Sequence, residues 1–145
     1  MQSFIEYFAH IIGSINNSYH KAALKFHLSD SELSILYVIN IHGDGCSQST
    51  LYKESGITKT TVNSAVKKME KENILTVTTG RGRNTCISLT DKGRLLVENT
   101  VYKIIRIENA IYEDWSDDER KEFIARNKDY AEKLSEAVGK LEPVE

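Results

Sequence analysis

The fold is decided between Thr58 and Leu89. The run Thr58-Lys59-Thr60-Thr61-Val62-Asn63-Ser64-Ala65-Val66-Lys67-Lys68-Met69-Glu70-Lys71-Glu72-Asn73 sets Val62, Ala65, Val66 and Met69 at steps of three and four, the spacing of one helical face. The period then changes to two. Leu75-Thr76-Val77-Thr78-Thr79 and Thr85-Cys86-Ile87-Ser88-Leu89 are alternating, β-branched runs, the signature of strands. Between them Gly80-Arg81-Gly82-Arg83-Asn84 reads as a hairpin loop with two arginines at its tip. A helix passing directly into a two-stranded hairpin, preceded by a short helix and a tight turn, is a helix-turn-helix with an appended wing.

Working outward, Ser47 is placed to cap the short helix through Leu51 and Tyr52, which Ser55-Gly56 ends. Upstream, Ser29-Asp30-Ser31-Glu32 is a capping box that opens a helix carrying Leu33, Leu36, Tyr37 and Ile39, halted at His42-Gly43-Asp44-Gly45. Residues 3 to 26 place Phe4, Phe8, Ile11, Ile15, Tyr19, Ala22 and Phe26 on one long stripe. Downstream, Thr90 caps a long helix with Leu96, Val97, Val101, Ile104, Ile105, Ile111 and Tyr112. A second capping box, Ser116-Asp117-Asp118-Glu119, opens a final helix with Phe123, Ile124, Tyr130, Leu134, Val138 and Leu141. The expected architecture is mainly α with a small two- or three-stranded antiparallel β-wing. Residues 29–93 form the winged helix-turn-helix lobe, and 1–28 with 94–145 form dimerisation helices of one intertwined domain. The terminal stripes exceed what a small winged core can cover, and helices left in that state complete their burial in a second subunit.

Composition bounds the rest. The chain has 145 residues, 40% hydrophobic and 28% charged, with one proline and eight glycines, which excludes low-complexity disorder and fits one domain. No apolar run approaches the ~18 residues of a membrane span. No basic residue precedes Lys21, which excludes a secretory signal at this N-terminus, and the two cysteines form neither a disulfide framework nor a CxxC motif. A reduced, cytoplasmic protein with no membrane partner is expected. The net charge of −2 hides an asymmetry: the segment from Leu51 to Leu95 carries nine basic and four acidic residues, a local +5 against −7 for its flanks. A basic lobe on an acidic body points to a polyanionic partner.

The 58–72 helix can be tested for that partner. Opposite its apolar face lie Thr60, Ser64, Lys67 and Lys71, flanked by Thr61, Asn63 and Lys68. A helix about 10–12 Å across fits a B-DNA major groove about 12 Å wide. Short hydroxyls and an amide near its N-terminus suit base edges, and lysines further along suit phosphates. The candidate double-stranded DNA contacts are therefore Thr58, Lys59, Thr60, Thr61, Asn63, Ser64 and Lys67, with Arg81 and Arg83 reaching a narrow minor groove from the wing. A two-fold pair of such lobes demands a pseudo-palindromic operator. No P-loop, GxSxG, HExxH or Cys/His motif occurs, so no enzyme, metal site or cofactor is expected. The alternative is a winged protein-interaction module without DNA binding, against which Thr60, Lys67 and Arg83 argue.

The element order resembles the MarR-type (multiple-antibiotic-resistance regulator) transcriptional regulators over essentially the whole chain. Its most telling residues are Ile57-Thr58-Lys59-Thr60-Thr61-Val62, then Val66-Lys67-Lys68-Met69-Glu70-Lys71-Glu72-Asn73-Ile74-Leu75, and Ile87-Ser88-Leu89-Thr90-Asp91-Lys92-Gly93 after the wing. The resemblance implies a homodimeric repressor that releases its promoter on a small-molecule or stress signal, with recognition-helix contacts from Thr58 to Asn63 and a minor-groove contact at Arg83. For a small-molecule effector, the candidate pocket is a cleft between the first, second and long helices, lined by Tyr7, His10, Ile11, Tyr37 and Ile41. Two departures stand out. Arg81 occupies the position where the family's wing often has a bracing aspartate, and Ser64 stands where many relatives have arginine, so base preference does not transfer. The cysteine that peroxide-sensing relatives carry in the first helix is absent. Glu108 and Tyr112 replace the histidine pair of zinc-sensing relatives.

Overall fold

Five helices begin where a hydroxyl side chain can take up a free backbone N–H. In the computed structural model, which describes residues 3–79 and 85–145, Ser29, Ser47, Thr58, Thr90 and Ser116 each accept a hydrogen bond from the N–H three residues on. At Ser29 and Ser116 the third-position glutamate returns a bond to the cap, completing two capping boxes. The helices so started are α2 (Asp30–His42), α3 (Gln48–Ser55), α4 (Lys59–Lys71), α5 (Asp91–Asn99) and α7 (Asp117–Gly139). They are joined by α1 (Phe4–Lys25), α6 (Val101–Glu113) and the strands β1 (Leu75–Thr79) and β2 (Thr85–Leu89). Residues 80–84, which include Arg81 and Arg83, lie outside the described residues.

The strands pair antiparallel with Leu75 opposite Leu89 and Val77 opposite Ile87. A third, single-residue edge is added by Cys46, whose carbonyl accepts from the Ile87 N–H at 2.7 Å while Gly45 N–H donates to Ile87 O at 3.1 Å. The loop that ends α2 is thereby stitched to the wing. Two helices end in left-handed residues that are not glycine. At the end of α4, Asn73 (φ 61°) lets Ile74 N–H reach Met69 O at 2.9 Å, and its own N–H bonds Glu70 O at 3.0 Å. His27 (φ 56°) does the same after α1, with Leu28 N–H on Ala23 O at 3.0 Å. Both are Schellman closures.

The core is drawn from α2 (Ile35, Leu36, Ile39), α3 (Leu51), α4 (Val62, Met69), the wing (Leu75, Ile87) and the helices after it (Val97, Val101), all essentially fully buried. The helix after the wing is not continuous as the apolar spacing predicts. It breaks at Thr100 (φ −128°, ψ −79°) between α5 and α6. Thr100 Oγ1 donates to Leu96 O at 2.7 Å and Asn99 Nδ2 donates to Leu95 O at 2.9 Å, so two successive side chains take carbonyls one turn back. Such back-bonding bends helices.

Two compact units are delimited, Met1–Ile104 and Ile105–Glu145. In the second, Tyr112, Trp115 and Phe123 meet edge to face at centroid distances of 4.9 to 6.1 Å. Arg120 Nε donates to Tyr112 O at 2.6 Å and its Nη2 to Glu113 O at 3.3 Å, closing the α6–α7 corner. Beyond that corner α7 buries no residue. Among the described residues no helix is long and apolar enough to cross a membrane.

Candidate nucleic-acid interface

α4 is held on three sides. Its apolar face (Val62, Ala65, Val66, Met69) is buried, as its spacing predicts. Along one flank, Lys68 Nζ meets Glu32 Oε1 at 3.0 Å, and the Glu32 side chain is only 5% exposed. Burial alone would push the Glu32 carboxyl up. The Lys68 ammonium and the Ser29 N–H and hydroxyl outweigh that and hold it below its usual range. At the C-terminal end, Thr90-Asp91-Lys92-Gly93 acts as a clasp. Ile74 O accepts from the N–H of Thr90 (3.0 Å), the Thr90 hydroxyl donates to Asn73 O at 2.5 Å, and Lys92 Nζ donates to Glu72 O at 2.8 Å. A Cβ at Gly93 would collide with the Ile74 carbonyl oxygen, so only glycine lets α5 start this close. At the other end, Gly56 (φ 69°) supplies the left-handed turn between α3 and α4.

So clamped, α4 turns the predicted set outward: Thr58, Lys59, Thr60, Thr61, Asn63, Ser64 and Lys67 are all exposed. The Thr58 and Thr61 hydroxyls lie 2.9 Å apart, and Ser64 Oγ donates to Thr60 O at 3.1 Å, which leaves its lone pairs outward. Lys59 Nζ stands 5.0 Å from the Tyr52 ring centroid, a cation–π contact. The Tyr52 hydroxyl receives a hydrogen bond from Ser49 at 3.4 Å. That bond, aided by Lys59 and Lys53, lowers its pKa against a smaller opposing effect of burial. Lys53, Lys59, Lys67 and Lys71 have no carboxylate partner among the described residues, so their charge faces outward unneutralised.

Other basic residues are committed elsewhere. Lys68, expected on the flank of the reading face, is tied to Glu32 and lies 3.9 Å from Glu72. Arg94 pairs with Asp44 at 3.0 Å, and Lys92 serves the clasp. Arg81 and Arg83 fall in residues 80–84, outside the described residues.

The structure adds groups that the helical wheel of α4 did not reveal. A shallow recess beside α4 is lined by Ser47, Gln48, Ser49, Tyr52, Lys59, Thr60, Asn63 and Thr85. Gln48 and Ser49 follow directly on the Ser47 cap, a signal that was present in the sequence. Thr85 enters through strand register, which has no local signal. Of the candidate effector residues, Tyr7, Ile11 and Ile41 are 64%, 51% and 62% exposed, His10 is exposed and Tyr37 half-buried. A different recess is lined by Asn40, Asp44, Leu89, Arg94, Glu98 and Tyr102, with Ile39, Gly43 and Val97. Among the described residues no group of three His, Cys, Asp or Glu side chains is arranged to hold a metal ion.

Known proteins share this fold. The MarR family model matches residues 28–83. The MarR family regulator NMB1585 from Neisseria meningitidis superposes with a TM-score of 0.84 at 16% identity, over 95% of this chain and 98% of that one. Staphylococcus aureus MepR in complex with DNA gives 0.75 at 19% identity, over 91% and 96%. Streptomyces coelicolor PcaV, a transcriptional regulator in complex with its natural ligand, gives 0.67 at 15% identity, over 91% and 96%. At these identities the likeness is one of fold. No curated protein sequence matches this chain.

Proposed function

We propose that this chain, whose residues 28–83 match the MarR family model and whose fold is that of a MarR family regulator, is a sequence-specific, double-stranded-DNA-binding repressor acting as a homodimer. The observation that carries the reading is the outward face of α4, where Thr60, Asn63 and Ser64 precede the carboxylate-free Lys67 and Lys71 on a helix clamped along its other sides. Groups that can read base edges sit at the helix N-terminus, and charges that can neutralise phosphates sit further along. Arg83, and Arg81 in place of the usual carboxylate, extend contact to the adjacent minor groove.

Dimerisation is supported by the apolar residues left in water on α1 (Phe4, Tyr7, Ile11) and α7 (Ile124, Leu134, Val138). A two-fold pair of lobes fits a pseudo-palindromic operator whose half-sites lie about one helical turn apart. Release by a small-molecule or stress signal follows from the family, with Tyr7, His10, Ile11, Tyr37 and Ile41 as candidate pocket residues and a cytoplasmic location. That MepR has been seen with DNA and PcaV with a ligand supports both halves of this cycle. The protein acts by binding and has no catalytic role.

The test is fluorescence anisotropy with duplex from the region upstream of its own gene, at several salt concentrations. Specific binding that weakens steeply with salt is the expected result. Binding indifferent to both sequence and salt would overturn the reading and leave the protein-interaction alternative.

A further inference from the structure

Gln48 stands where three elements meet. Its backbone N–H donates to the Thr85 hydroxyl at 3.1 Å, tying the first turn of α3 to the start of β2. Its side-chain Nε2 donates to Asn63 Oδ1 at 3.3 Å, bridging α3 to α4. Asn63 is exposed and lines the same recess as Thr60 and Lys59. A carboxamide with no neighbour rotates about its last bond and turns oxygen or amine outward with little preference. The bond from Gln48 removes that freedom. With Oδ1 turned to Gln48, the Asn63 amine points elsewhere, and one lone pair on the oxygen stays unused.

We propose that Gln48 is a positioning residue for base reading: it fixes the polarity of the Asn63 carboxamide, so that Asn63 offers an N–H donor beside a residual acceptor. That is the pattern complementary to N7 and N6 of adenine in the major groove. The role rests on the DNA-binding reading above. Gln48 itself needs no contact with a base. It acts by ordering Asn63 before DNA arrives, which lowers the entropy lost on binding.

The experiment uses the full chain. Duplexes enriched by the wild-type protein from a randomised pool supply the reference site, and every single-base-pair variant of that site is then titrated. Asn63→Ala should lose discrimination at one A·T pair per half-site by about tenfold. Gln48→Ala should lose it at the same pair, the double variant should lose no more than Asn63→Ala alone, and the salt slope should not move. Gln48→Glu sharpens the test. An ionised carboxylate only accepts, so Asn63 must turn its amine inward and its oxygen outward, and the preference at that pair should move toward a base with an exposed donor such as cytosine N4. The Thr85 bond, made by the backbone N–H of residue 48, survives all these changes.

Relaxation at a different base pair, additive losses, or a salt slope reduced by about one unit would make Gln48 an independent DNA contact and overturn the proposal. A wild-type chain that enriches no sequence would overturn the DNA-binding reading and this role with it. Enrichment accompanied by additive losses would overturn the role alone.

Discussion

The winged lobe and the C-terminal unit are both amphipathic, yet they satisfy their apolar residues differently. Every buried hydrophobic residue described lies at or before Ile104, and within the lobe α2, α3, α4 and the wing close around Ile35, Leu36, Leu51, Val62, Met69 and Ile87. The unit from Ile105 onward has an aromatic corner at Tyr112, Trp115 and Phe123, then a helix of 23 residues that buries none. The lobe covers its own large apolar residues apart from Ile41. The C-terminal helix presents Ile124, Leu134 and Val138 to water at 47–57% exposure, a stripe that a second subunit would cover. On the proposed function, reading and pairing would fall to separate parts of one small protein, and each could be damaged without the other.

The comparison breaks most visibly on α7. If the proposed homodimer pairs through α7, replacing Leu134 and Val138 together by Asp should leave the lobe folded but abolish that dimer. Operator affinity should then fall by about a hundredfold or more, because two linked contacts become single ones. Sedimentation and anisotropy on the same sample check both halves; a dimer that persists would remove α7 from the interface. Next in size is the lobe's own clasp. Gly93→Ala should destabilise by about 1–3 kcal/mol, since its methyl meets a backbone oxygen that cannot swing away. Thermal denaturation would show it, and an unchanged melting temperature would mean that the Ile74 contact is slack.

Smaller effects refine the division of labour on α4. Lys67→Ala and Lys71→Ala should each reduce the salt slope of operator binding by about one unit without relaxing base preference. Lys68→Ala should leave that slope in place and weaken the fold instead, because its charge is held by Glu32. The gentlest test is pH. With the Glu32 carboxyl held below its ordinary value of 4.5 in the folded chain, the unfolded chain binds more protons on the acid side. Its contribution is complete above about pH 4.5 and fades as pH falls through the lowered folded value. Lys68, raised above its ordinary 10.5, contributes in the opposite sense and fades as pH climbs through that raised value. Glu32→Gln should flatten the acid limb of chemical-denaturation stability against pH. An unchanged limb would assign acid sensitivity to other carboxylates.

The caps, the strands and the buried face of α4 were legible because each is encoded within a few residues. Ser29, Ser47, Thr58, Thr90 and Ser116 announce their helices by a hydroxyl three residues ahead of the N–H it satisfies. What escaped has partners far along the chain or competing signals. Glu32 and Lys68 are 36 residues apart, and Gln48 and Thr85 are 37 apart. The break at Thr100 is invisible to periodicity because the apolar spacing runs straight through it, while two side chains quietly take the carbonyls. The exposed set on α4 was readable from its wheel, but which lysines remain uncommitted was not, since neutralisation is a tertiary matter.

One consequence of the clasp concerns time rather than shape. Met69 O receives the Ile74 amide and Ile74 O receives the Thr90 amide, so a local helix closure and a sequence-distant backbone bond are locked in series beside a glycine with no room to spare. The deuterium uptake of those two amides should therefore follow opening of the lobe as a unit more closely than the fraying of either helix end.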